Sequence, residues 1–186
     1  MQGGPAKRQA ALAALSLAVA GSSGCMNRGG QGACKTYDAC AVVTAADVSA
    51  AMGKKFVAGA ESNPGATLAA PLAKSAICRY ATDKTTDPFV AVLLRCCPCG
   101  DNDPDAAAQS FGGAAMTVTP IAGIGDSAIW VAMNPDAGVP AIDQLIVYVD
   151  ADFQIVVSIA VPLGEPFAVD PQMAAERIAA TALSRQ

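Results

Sequence analysis

The chain contains no histidine, and that absence excludes a good deal of chemistry. Ser-His-Asp and Cys-His nucleophilic sites, two-His zinc hydrolases and facial-triad iron oxygenases all require imidazole. The only side chain with an unperturbed pKa near neutrality is missing with it. Charge is also scarce: 15% of residues are Asp, Glu, Lys or Arg, against the usual quarter. With 12 basic and 16 acidic residues and a net charge of −4, no cluster of Lys and Arg is available to neutralise a phosphate backbone. A nucleic-acid partner is therefore not expected. Aromatics are few as well, nine in 186 residues. Apolar residues make up 53% of the chain, but 41 of them are Ala, so the core is built of small side chains. The length still suits one domain behind a leader, with enough buried surface to fold independently.

What is present begins with an export-type N-terminus. Lys7 and Arg8 form a basic start, and Ala10 to Ala20 form a short apolar run. Such a run falls below the roughly 20 residues of a spanning helix, and its flanks fit a signal peptide. Gly21, Ser22, Ser23 and Gly24 lead into Cys25, the arrangement of a bacterial lipoprotein cleavage site, although Ser22 stands where such sites usually carry Leu. The expected organisation is a lipoprotein-type signal over 1–24, lipid on Cys25, a tether over 25–37 and one domain over 38–186. Ordinary secretion after Ala18 or Ala20 is the alternative. Removal of Lys7 and Arg8 leaves 10 basic and 16 acidic residues, a net −6, which holds the domain off anionic headgroups.

Seven cysteines are present: Cys25, Cys34, Cys40, Cys78, Cys96, Cys97 and Cys99. Assigning Cys25 to lipid leaves six, an even number that suits a disulfide framework in an exported chain. Six thiols allow 15 pairings, and spacing alone does not choose among them.

Along the domain, Thr44 reads as an N-cap with Asp47 in the capping-box position, Val43 and Val48 as a hydrophobic staple, and Gly53 as the C-cap. Strands are expected over 54–60, 75–81, 88–97, 115–121, 127–133, 144–149 and 153–161, the last two forming a hairpin. Between them Asp103, Pro104 and Asp105 mark a helix start. Asp170 and Pro171 open a final helix whose Ala175, Ile178, Ala179, Ala182 and Leu183 form an apolar stripe. The order predicts an α+β domain: an antiparallel sheet of five to six strands, two to three packed helices and disulfide staples.

Four patterns together resemble a known kind of protein. They are C-x(3)-T-x(3)-V-x(4)-G from Cys40 to Gly53, the triplet Cys78-Arg79-Tyr80, the run Gly123 to Ala128, and the C-terminal amphipathic helix. Over residues 38 to 185 the chain resembles the small lipid-anchored or secreted envelope domains of high-GC bacteria, of the mycobacterial lipoprotein type. The resemblance implies an α+β envelope domain with a disulfide between Cys40 and Cys78, and it brings no catalytic residues. Cys34, Cys96, Cys97 and Cys99 are additions to that pattern.

The added cysteines carry the sharper alternatives. Cys96-Cys97-Pro98-Cys99 contains the C-x-P-C of thiol-disulfide oxidoreductases, but Asp101 and Asp103 follow where a helix N-terminus would have to stabilise a thiolate. Cys34, Cys96, Cys97 and Cys99 also form a thiolate set for zinc or cuprous ion, or further disulfides. Asp101, Asp103 and Asp105 begin like a calcium loop, yet Ala106 and Gly112 replace the Gly and Glu that such a loop needs; a solvated helix start fits better. Gly123-Ile124-Gly125 precedes a strand-like segment, which suits a tight turn and not a dinucleotide fingerprint. Trp130 and Tyr148 are expected in the core, and Lys54 and Lys55 at a solvated strand edge. The sequence thus points to a non-enzymatic envelope module without a cofactor. Its partners would be the membrane, through the lipid, and an unidentified envelope protein or ligand.

Overall fold

The computed structural model describes residues 37–62, 74–82, 89–96, 105, 108–109, 116–133, 141–149, 153–161 and 168–186. Among them, seven strands form one antiparallel sheet, one for each expected strand segment, where the sheet was expected to hold five to six. The strands are β1 Val57–Ser62, β2 Lys74–Ala81, β3 Phe89–Cys96, β4 Met116–Ile121, β5 Ser127–Met133, β6 Ala141–Val149 and β7 Phe153–Val161. Helices α1 Ala39–Val42, α2 Ala45–Met52 and α3 Pro171–Ser184 accompany them. None is long and apolar enough to cross a membrane.

The sheet order is β1-β2-β3-β7-β6-β5-β4. The chain builds one edge as a meander, crosses to the far edge after β3, and meanders back until β7 closes against β3. That closure pairs Val92 with Val157 and Leu94 with Ile155. Both strands are rich in β-branched and Leu residues, which suits inner positions buried on two faces. The edges are blunted. β4 carries Pro120, which has no N–H to offer a further strand, and β1 has a register shift between Ala58 and Glu61.

Alternation sorts the side chains onto two faces. One face presents Cys78, Tyr80, Val90, Val92, Leu145, Val147, Ile155, Val157 and Ile159, none of them exposed, to the helices. From α3 it receives Ala174, Ala175, Ile178, Ala179 and Ala182. Alanine at these positions lets the helix backbone lie close over the large β-branched residues of β6 and β7. Leu183 is partly buried at the end of the stripe. Trp130 joins this core, while Tyr148 joins a smaller cluster on the opposite face with Ile129, Val131 and Ile146.

The helix punctuation reads in the structure as it does in the sequence. Thr44 and Asp47 form a reciprocal capping box and Gly53 ends α2 at φ 64°; Val43 and Val48 are both fully buried. The Asp170 side chain caps α3 by accepting from the amides of Gln172 and Met173 at 2.8 and 3.2 Å. Four details depart from expectation. An extra turn, α1, precedes α2, capped by Asp38, whose carboxylate accepts from the Ala41 amide at 2.9 Å. β1 starts at Val57 and not at Lys54, because Phe56 turns into the core while Lys54 and Lys55 stay exposed. β6 starts at Ala141, three residues earlier than expected. Finally, Tyr37, assigned by composition to the tether, packs on Phe153 with ring centroids 5.2 Å apart. Asp105, Ala108 and Gln109 are helical; the cap residues Asp103 and Pro104 lie outside the described residues.

Candidate functional site

The feature that the sequence and the structure both single out is the corner where α1 meets β2. Cys40 lies in α1 and Cys78 in the middle of β2, and they form a disulfide with Cα atoms 5.0 Å apart across 38 residues of sequence. The structure thus forms the pairing that the resemblance implies. Cys78 is fully buried, and Cys40 is partly buried.

Two further ties close the same corner. Two residues along β2, on the face of Cys78, the buried Tyr80 hydroxyl donates to the Val43 carbonyl at 2.5 Å. This satisfies a carbonyl at the end of α1 that has no helical partner. Burial is the main cause that raises the Tyr80 phenol above its ordinary pKa, with the nearby Asp47 and Asp38 carboxylates adding to it.

The second tie comes from the end of the chain. Arg185, just past α3, donates to the Val42 carbonyl at 2.9 Å and grips Asp47 with two bonds of 2.6 and 2.9 Å. Asp47 also accepts from the Thr44 amide at 2.8 Å and from its hydroxyl at 2.6 Å. The Arg185 guanidinium holds the Asp47 carboxyl well below the usual carboxylate range. Partial burial opposes this, and the Thr44 bonds reinforce it. The same bidentate pair raises Arg185. One carboxylate therefore caps α2 and anchors the C-terminus. All the side chains here are engaged with one another, an arrangement that fixes geometry.

The other candidates are placed less completely. Cys96 is the last residue of β3, in register with Lys74 and Phe153. Cys25, Cys34, Cys97 and Cys99, and with them the C-x-P-C and four-thiolate sets, lie outside the described residues, as do Asp101 and Asp103. Asp105 is exposed. Among the described residues no group of three or more Cys, Asp or Glu side chains converges as metal ligands. The glycine run is the tight turn between β4 and β5: Gly123 and Gly125 have φ of 84° and 60°, and the Asp126 amide donates to the Tyr148 carbonyl at 2.9 Å. Beside it lies an open recess of about 410 Å³ lined by Asp105, Ala108, Pro120, Asp126 and Ile129 among others.

Sequence reasoning missed three residues. Nothing in local spacing marks Arg185 as the partner of Asp47, 138 residues away, or Tyr80 as the partner of Val43. Arg79 stacks on the Phe89 ring with its guanidinium carbon 4.0 Å from the centroid. That contact follows from strand pairing, which a one-dimensional pattern does not contain. Compared with protein-family models, with curated proteins and with solved structures, the chain matches none.

Proposed function

We propose that this chain is an exported bacterial envelope protein, anchored by lipid on Cys25, whose domain serves as a non-enzymatic binding or structural module. The observation that carries the reading is the Cys40–Cys78 bridge. A disulfide that ties a four-residue helix to the centre of a strand suits an oxidising compartment, where such bonds form and persist. The basic, apolar and small-residue order ahead of Cys25 supports the same compartment. The non-enzymatic part rests on the chain's lack of histidine and on a corner whose polar groups are spent on caps and anchors.

Two measurements test the proposal together. Metabolic labelling with a fatty-acid analogue should mark the parent and not a Cys25→Ser variant. Thiol titration of the folded, unreduced protein should find the domain cysteines protected. Equal labelling of the variant would remove the lipid anchor. A readily reduced pair that turns over an insulin-like disulfide substrate would replace the module by a thiol-disulfide oxidoreductase using the Cys96 to Cys99 cluster.

A further inference from the structure

The sheet's two faces are finished differently. Helices cover one face. On the other, the β5–β6 half is closed, with Ile129, Val131, Ile146 and Tyr148 all under 7% exposed. The β1–β3 half of that face is more open. Val57 is 52% exposed, Arg79 is exposed, and Ile77, Phe89, Leu93 and Arg95 are only partly buried.

Register puts these residues in order. Ile77 pairs with Leu93, Arg79 with Ala91, and Ser75 with Arg95. The two arginines therefore flank the Ile77–Leu93 pair, four residues apart along the ladder, or about 13 Å at the rise of a strand. Arg79 rests on the Phe89 ring. Among the described residues neither guanidinium has a hydrogen bond or an ion pair. Unpaired guanidinium groups on an apolar strip disfavour a purely apolar cover, because burying them without an anion is costly. Arginine and aromatic residues are also the types enriched where proteins recognise one another.

We infer that this half-face binds an extended segment of a partner polypeptide carrying two carboxylates four residues apart and an apolar side chain midway between them. In an extended chain, positions i, i+2 and i+4 point the same way with the spacing of Arg79, the Ile77–Leu93 pair and Arg95. An anionic bilayer fits less well. It would meet the whole domain, which carries a net charge of −6 once Lys7 and Arg8 are removed, whereas a strand-wide peptide meets only this strip. The inference rests on reading the domain as a binding module.

The test uses the full chain and a fluorescein-labelled nonapeptide, Gly-Thr-Glu-Thr-Leu-Thr-Glu-Thr-Gly, read by fluorescence anisotropy. A control peptide carries Lys in place of both Glu. The acidic peptide should bind at least tenfold tighter than the control and weaken in high salt. Arg79→Glu and Arg95→Glu should each weaken it by roughly tenfold or more, while both variants stay folded, Arg79→Glu melting a few degrees lower for loss of its contact with the Phe89 ring. Equal binding of the two peptides, unchanged binding by the variants, or no binding up to millimolar peptide would overturn the inference. Phosphatidylglycerol vesicles that bind through the same arginines would assign the face to lipid instead, and self-association lost in the variants would assign it to a second copy. Failure of the peptide arm with all thiols protected refutes this surface alone, whereas turnover of a disulfide substrate refutes the module reading itself.

Discussion

Changing Cys40 and Cys78 together to Ser removes a cross-link while the Tyr80 and Arg185 ties stay in place, and the cross-link's own contribution is calculable. The bridge spans 38 residues, and in the chain-entropy model closing such a loop restricts the unfolded chain by roughly 3–4 kcal/mol. For a domain of this size each kcal/mol lowers Tm by about 2–4 °C, so the double variant should melt roughly 6–16 °C below the parent. It should still fold. Tyr80 continues to hold Val43, and Arg185 continues to hold Val42 and Asp47. Calorimetry of both proteins, unreduced, provides the comparison. Cys96→Ser with Cys99→Ser should cost about half as much or less, since the three-residue loop they could close would restrict the unfolded chain by only about 1.6 kcal/mol in the same model. If the Cys40 and Cys78 variant melts within about 2 °C of the parent, the bridge does not constrain the unfolded chain and the argument fails.

Other expectations are independent of the bridge. Tyr80→Phe strands the buried Val43 carbonyl and should cost about 1–3 kcal/mol in urea unfolding. In the parent the raised Tyr80 phenol should ionise above the ordinary phenol range in an ultraviolet titration. Stability should fall as the pH rises beyond 10, where the unfolded chain's phenol gives up its proton first. The Asp47 carboxyl is lowered, so its contribution is present above 3.8, the ordinary value, and fades as the pH falls below it. Asp47→Asn should flatten the acid limb of the stability curve between pH 4 and pH 2, and an unchanged slope would count against the Arg185 anchor. Gly125→Ala should destabilise more than Gly123→Ala. Both have positive φ, but a Cβ at Gly125 would sit 2.6 Å from the Tyr148 carbonyl, while one at Gly123 meets nothing within 4 Å. Equal melting of the two variants would show that the close approach is absent.

Much of this fold is local and is therefore written in order along the chain. The capping box of Thr44 and Asp47, the left-handed Gly53 and the Asp170–Pro171 helix start each act within a few residues. The runs of β-branched and Leu residues in β3 and β7, too short for a typical helix, mark strands. Pro120 has no amide hydrogen to give to a sheet ladder, and the sheet places β4 at an edge. The disulfide reached the sequence reading by resemblance, since the spacing of six cysteines leaves their pairing open.

Tertiary structure decided what no window along the chain contains. Sheet order joined β3 to β7, across more than 50 residues of sequence, through the burial of Val92, Val157, Leu94 and Ile155 on inner strands. Arg185 meets Asp47 only because α3 returns over the sheet to α2, and their strength as a pair comes from bidentate geometry, which composition cannot specify. The order of Arg79, Ile77–Leu93 and Arg95 on one open half-face likewise exists only once β2 and β3 are in register. The sequence by itself marked most of the segments that become helix and strand, though not α1. Packing determined which distant side chains share a surface, because burial rewards the assembled sheet and not any one strand.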